Sequence, residues 1–179
     1  MRQRMVGSSP VEKSYCILDY CLQAAFYVIK FRFHQYNYNG MMIEKQSSGY
    51  LEISHTADWA LKVWAPDLPG LLEQAAYGMY ALLQIQLQPG GRYECPLDLE
   101  AEDAEGLLVS FLSELLYLTE QEGLGFDAFD LAIEGCHLSG RIIGAPVESQ
   151  RKEIKAVTYH NLAIQTTQQG LETTIVFDV

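Results

Sequence analysis

The sequence predicts an α+β fold, in which a mixed β-sheet carries two amphipathic helices on one face. Two stretches, one after Pro66-Asp67 and one after Asp103, repeat apolar residues at three- and four-residue steps, the spacing of a helix with one buried side. About six other runs have the alternation or the β-branched content of strands. Helices and strands occur in mixed order along the chain, so we expect the helices to pack together against the sheet.

Composition and charge indicate a globular protein with an acidic surface. The 179 residues favour one domain, and 49% hydrophobic with 20% charged residues is typical of a folded chain. A formal net charge of −11 argues against strong direct nucleic-acid binding, which requires clustered Lys and Arg. The acidic balance suits a basic protein partner, a cation or simply solubility.

Neither a membrane span nor a zinc site is predicted. The apolar run at residues 15–31 is interrupted by Asp19 and Lys30, which makes it too short and too broken to cross a membrane. No CxxC pair occurs, and we therefore expect reduced thiols and a cytoplasmic location. The cysteines are Cys16, Cys21, Cys95 and Cys136.

The first 48 residues differ in charge from the rest. Residues 1–41 hold five Lys and Arg against two Asp and Glu, a net charge of +3, so the remainder carries −14. We expect residues 1–48 to be an N-terminal extension, poorly ordered or translated from a misassigned start, and residues 49–179 to be the domain. Met41 or Met42 would then be the native start, which the intact mass of the protein from its host would test.

Turn and cap residues mark the predicted bounds of the helices and strands. Asp67 is placed to cap the first helix, whose stripe runs to Leu83, and Asp103 opens the second helix, which Gly123 ends. A polar loop is expected at residues 144–153. The predicted strands span residues 50–53, 59–65, 92–100, 126–136, 138–143, 155–165 and 171–177.

The end of the chain carries the most informative polar groups. Strand alternation persists almost to the last residue, which would present the side chain of Asp178 beside the α-carboxylate of Val179. Two carboxylates this close repel each other, and a shared proton or a cation relieves the repulsion. With Asp58 as a third donor they would form an all-oxygen site for Ca²⁺ or Mg²⁺. A solvated chain end is the simpler alternative.

Two histidines, His55 and His160, are interpreted first as structural residues that form hydrogen bonds. Neither has a nucleophile at a diagnostic spacing, so acid-base catalysis by the pair is a weak signal. We keep both as supporting residues of the candidate site. Glycine-rich phosphate loops and the GxSxG and HExxH motifs are missing from the sequence.

Several short motifs, taken in order, resemble the archease family. They are HTAD at 55–58, an alanine-rich amphipathic helix after it, ELLYL at 114–118, KAVTYHNL at 155–162 and IVFDV at 175–179. The resemblance runs from about Gly49 to Val179. It implies a strand-helix-strand-strand domain with an inserted helical and β segment.

The resemblance also implies a function. Archeases assist an RtcB-type tRNA-splicing RNA ligase by promoting guanylylation of the ligase's histidine and so its multiple turnover. The metal site of the family, typically with Ca²⁺ (Mg²⁺ or Mn²⁺ being alternatives), corresponds here to Asp58, Asp178 and Val179. One departure is that the loop at residues 145–153 contains no His, whereas many members have an Arg-His pair there.

The expectation is therefore a non-catalytic activator of an RNA ligase that carries a divalent ion. Two other functions stay open. One is a chaperone-like binding module for other RNA-modification enzymes. The other is a stand-alone metal-dependent hydrolase that uses Asp58 and Asp178 with His55 or His160 as base, which would need turnover without a partner.

Overall fold

Residues 48–53 and 58–179 are described by the structure, a computed structural model, and they form nine strands and two helices. The helices are α1 (Leu68–Leu83) and α2 (Ala104–Glu122). The strands are β1 (Gly49–Ile53), β2 (Trp59–Ala65), β3 (Gln86–Leu87), β4 (Tyr93–Glu100), β5 (Leu124–Glu134), β6 (His137–Ser149), β7 (Ala156–Thr158), β8 (Gln165–Thr167) and β9 (Gly170–Asp178). The α+β class is as predicted.

The first sheet places the last strand of the chain at its centre. Its order is β1-β2-β9-β7, with β8 also paired to β9, and every pairing is antiparallel. β2 therefore borders β9 along its whole length, while β7 and β8 pair with its C-terminal and N-terminal parts. The chain end is held in the middle of a sheet, where backbone pairing on both sides opposes fraying.

The second sheet is inserted in the chain between α1 and β7. Its longest strand, β6, pairs with β3, β4 and β5, again antiparallel throughout. Arg141 on β6 spans the solvent-facing surface of this sheet, donating to Glu94 on β4 at 3.2 Å and to Asp130 on β5 at 2.8 Å. Because these ion pairs are exposed, they help to hold the strands in register and add little to stability.

The single mixed sheet of the prediction is corrected to two antiparallel sheets, and the helices pack on both. α1 packs on β1, β2 and β9 of the first sheet and on β5 of the second, and α2 contacts β7 as well as β4, β5 and β6. The reason is that the apolar surface of the helices is broad. Nine of the sixteen residues of α1 are buried, more than one sheet can cover.

Both helix starts follow the predicted capping chemistry. Oδ1 of Asp67 accepts a hydrogen bond from the N–H of Gly70 at 2.9 Å, and Oδ1 of Asp103 accepts one from Gly106 at 2.7 Å. α2 ends at Gly123 with a φ of 65°, a left-handed conformation that glycine adopts without strain.

Close packing joins the helix layer to both sheets. Gly78 of α1 lies so near Leu61 of β2 that a Cβ at this position would overlap Cδ2 of the leucine. On the other side, the ring of Phe129 on β5 meets Tyr77 of α1 edge-on at 5.3 Å and Phe111 of α2 at 5.9 Å. The helices are thereby fixed relative to the strands that carry the chain end.

The predicted strand over residues 155–165 is wrong, because a turn divides it into β7 and β8. Asn161 has a φ of 54°, which a strand does not tolerate, and the N–H of Leu162 donates to the carbonyl of Tyr159 at 3.2 Å. The hydroxyl of Thr158 stabilises the start of the turn by accepting from the N–H of His160 at 3.3 Å.

The loop predicted at residues 144–153 is shorter than expected, since β6 continues to Ser149 and the short strand β3, which was not predicted, pairs with its end. In the part of the chain that the structure describes, no helix is long and apolar enough to cross a membrane. The predicted N-terminal extension lies outside the described residues except for Ser48, so its boundary stays a prediction.

Candidate metal centre

Strand pairing brings together two of the predicted site residues at one end of the first sheet. Trp59, the first residue of β2, pairs with Phe177 of β9. Asp58 immediately precedes Trp59 and Asp178 immediately follows Phe177, so the two carboxylates lie at the same end of neighbouring strands. We call this place, with the terminal carboxylate of Val179, the carboxylate end. Asp58 is half-buried and Asp178 is exposed.

The chain end is fixed by packing as well as by the sheet. Phe177 is fully buried, and the side chain of Val179 packs against the hydrophobic core. On the far side of β9, Ala156 of β7 pairs with Asp178, and the N–H of Lys155 donates to the Asp178 carbonyl at 2.8 Å. The terminal carboxylate is therefore presented in a defined position, as a frayed end would not be.

Lys155 adds a charged group that the sequence argument did not include. Its Nζ donates to the terminal oxygen of Val179 at 2.7 Å. An ammonium at this distance relieves part of the repulsion between the terminal carboxylate and Asp178, which a metal ion or a proton had been expected to relieve. Lys155 is visible in the sequence as the first residue of the KAVTYHNL segment, but the register that pairs Ala156 with Asp178 and brings Lys155 to the chain end is not.

The donor set at the carboxylate end fits a hard divalent ion. In residues 48–53 and 58–179, no three side chains of His, Cys, Asp or Glu are grouped so as to hold a metal. A site here would accordingly combine the side chains of Asp58 and Asp178 with the terminal carboxylate and water. All of these are oxygen donors, the kind that Ca²⁺ and Mg²⁺ take, and none is a soft ligand that would favour zinc.

Neither of the two predicted supporting histidines has a described contact with the carboxylates. His55 lies outside the described residues. His160 is exposed on the turn after β7, where its Nε2 contacts Nδ2 of Asn161 at 3.0 Å. Since β7 runs from Ala156, opposite Asp178, to Thr158, opposite Val176, the chain moves away from the carboxylate end before it reaches His160. The described contacts of His160 do not include the carboxylates, and its supporting role stays a prediction.

The chain is similar to known proteins over most of its length. The family model described as the Archease protein family (MTH1598/TM1083) matches residues 50–179. The protein archease of Pyrococcus furiosus is 33% identical over 124 residues, which cover 65% of this chain and 87% of that protein. The protein archease of Archaeoglobus fulgidus is 32% identical over 135 residues, 73% of this chain and 98% of its own.

Two solved structures share the fold. The solution structure of protein 1598 of Methanobacterium thermoautotrophicum has a TM-score of 0.57 at 23% identity and covers 73% of this chain and 99% of its own. The crystal structure of an archease of Thermotoga maritima, described as a possible chaperone, has a TM-score of 0.55 at 28% identity and covers 71% of this chain and 94% of its own. The chain therefore belongs to the archease family.

Proposed function

We propose that this protein activates an RtcB-type tRNA-splicing RNA ligase by promoting the ligase's guanylylation and multiple turnover, with a divalent ion held at the carboxylate end. The observation that carries the proposal is the register of β2, β9 and β7, which gathers Asp58, Asp178 and the chain end in one fixed place. Membership of the archease family supports the same function.

In this proposal the protein's residues present charge and do not form a covalent bond. Asp58, Asp178 and the terminal carboxylate of Val179 would hold the ion, Ca²⁺ in the first instance and Mg²⁺ or Mn²⁺ as alternatives. When bound, the ion would supply neutralisation of phosphate charge at the ligase's nucleotide site. The ligase would supply the histidine that is guanylylated, so this protein would be a non-catalytic partner in the cytoplasm.

The surface charge suits such an encounter. Residues 48–179 contain 20 Asp and Glu against six Lys and Arg. Exposed carboxylates cover the solvent side of the second sheet, among them Asp98, Glu100 and Glu134. Long-range attraction to a basic RNA-binding surface would raise the association rate, and it would weaken as salt is added.

A guanylylation assay tests the proposal. The ligase is incubated with GTP and a divalent ion, with or without this protein, and the labelled ligase and its turnover are measured. Asp58→Asn and Asp178→Asn are expected to abolish stimulation, because each removes a charged donor while keeping the side-chain size. Glu134→Gln, an exposed change on the second sheet, serves as the control of equal charge and should stimulate like the wild type. Stimulation that is insensitive to both Asp changes would contradict the role of the carboxylate end.

The alternative of a chaperone-like binding module is favoured by one observation, the description of the Thermotoga maritima archease as a possible chaperone. Affinity purification of the full chain from its host separates the two functions. An RNA ligase recovered with the protein supports activation, whereas an RNA-modification enzyme recovered in place of the ligase supports the chaperone function.

A further inference from the structure

Basic residues are unevenly distributed over the described residues. Three of the six Lys and Arg in residues 48–179 are ion-paired with carboxylates, namely Lys62, Arg92 and Arg141. The other three, Arg151, Lys152 and Lys155, fall within five residues, and in the described part of the chain none of them is ion-paired with an Asp or Glu side chain. An acidic domain thus concentrates the positive charge that no described Asp or Glu side chain pairs with in one segment, residues 150–155, which we call the basic loop.

The basic loop is held in place by the body of the protein. The N–H groups of Arg151 and Lys152 both donate to the carbonyl of Leu83, the last residue of α1, at 3.3 and 3.2 Å. Nζ of Lys152 lies 4.5 Å from the ring centre of Trp59, a cation–π contact. Because these contacts order the loop before any ligand arrives, a ligand bound there would not have to pay for ordering it.

The basic loop borders the carboxylate end. Trp59, which Lys152 covers, directly follows Asp58 and pairs with Phe177, the neighbour of Asp178. Lys155, at the other end of the loop, contacts the terminal oxygen of Val179. Lys155 therefore stands beside the terminal carboxylate, and Lys152 lies over the ring of the residue that follows Asp58.

An open hollow of about 440 Å³ lies on the basic loop. Its lining mixes both signs of charge, and consists of Glu120, Gln150, Arg151, Lys152 and Glu153. A bare polyanion would be repelled by the two glutamates of the lining. A phosphate chain that carries its own divalent ion satisfies both signs at once.

We propose that Arg151 and Lys152 bind the phosphate chain of a nucleoside triphosphate whose divalent ion sits at the carboxylate end. The planar guanidinium of Arg151 offers paired donors to phosphate oxygens, and Lys152 adds a point charge. The inference rests on the proposed function and deepens it, because it makes this protein a carrier of the metal–nucleotide and not of the metal alone.

Titration calorimetry of the full chain with inorganic tripolyphosphate, and separately with GTP, tests the inference in Ca²⁺ and in EDTA. The wild type should bind both ligands in Ca²⁺ and neither in EDTA. Arg151→Ala with Lys152→Ala should weaken binding by at least about tenfold, since charge-assisted contacts to two phosphate oxygens are lost. Arg151→Lys with Lys152→Arg should restore it. Arg151→Ala alone, an exposed change with no described side-chain contact to disturb, should show part of the loss.

The matched control is Arg92→Ala with Arg141→Ala, which removes the same charge from the second sheet and should leave binding at the wild-type level. Absence of Ca²⁺-dependent binding, or an equal loss in this control, would overturn the inference. Ligase stimulation by the wild type is measured in parallel. Stimulation without phosphate binding would refute this inference alone, whereas phosphate binding without stimulation would refute the proposed function alone.

Discussion

Replacing Lys155 by Met isolates the charge that competes with a metal at the carboxylate end. Nζ of Lys155 lies 2.7 Å from the terminal oxygen of Val179, and the side chain is exposed. An exposed pair of this kind contributes only about 0–1 kcal/mol to folding, so the variant should unfold at nearly the wild-type temperature. The backbone bond from the N–H of Lys155 to Asp178 does not depend on the side chain, and it should keep the chain end in place.

The effect on metal affinity is larger than the effect on stability. A unit charge about 5 Å from a divalent ion costs roughly 1.7 kcal/mol even at the dielectric constant of water, which is roughly ten- to twentyfold in affinity. Removing the ammonium should therefore tighten Ca²⁺ binding about tenfold at low ionic strength, and added salt should shrink the difference.

Calcium titration calorimetry measures this change. Lys62→Met is the matched control, because Lys62 pairs with Glu172 at 3.2 Å and lies opposite Thr174, about 13 Å along β9 from Asp178 and so beyond the screening length of roughly 10 Å at 0.1 M salt. Its Ca²⁺ affinity should match that of the wild type. A Lys155→Met variant that binds Ca²⁺ no better than the wild type would refute the reasoning, since the ammonium would then not be close to the ion.

Two further predictions concern the helix layer that supports the site. Gly78→Ala should lower the free energy of unfolding by about 1–3 kcal/mol in urea, because the added methyl overlaps Leu61; Gly91→Ala, at an exposed position with open space around it, is the control, and an equal loss there would contradict the packing argument. Burial raises the pKa of Tyr80 to about 12 from its usual 10.0, so the unfolded chain ionises first and stability should fall as pH rises from 10 to 12, by up to about 2.7 kcal/mol. The pH dependence over this interval should be shallower for Tyr80→Phe, and an unchanged slope would show that Tyr80 is not its source.

Local chemistry could be predicted from the sequence, but the meeting of distant segments could not. Asp67 and Asp103 were identified as helix caps because a cap requires only a side chain and an amide three residues later. The turn at Asn161 was missed because the surrounding residues alternate like a strand, and the left-handed φ of one residue leaves no periodic trace. The second sheet was not separated from the first, since antiparallel alternation does not say which strands pair.

In the candidate site, too, the neighbours in the chain could be predicted and the contacts between distant strands could not. That Asp178 lies next to the terminal carboxylate follows from their being neighbours in the chain. The approach of Asp58 depends on the pairing of Trp59 with Phe177 across more than a hundred residues, which periodicity does not reveal. Asp58 could therefore be predicted only as a third oxygen donor, which the family resemblance also implies. The contact of Lys155 with Val179 required the register of β7 on β9, and this is why the counter-ion was missed.

The central claim is that the α-carboxylate of Val179 is a functional group. The most direct test is ligase guanylylation turnover with a protein extended by Gly-Ser-Gly after Val179, which converts that carboxylate into an amide and keeps every side chain. We expect stimulation to be lost while the unfolding temperature is retained, and the same three residues added at the N-terminus to have no effect. Stimulation at the wild-type level by the C-terminally extended protein would contradict the claim.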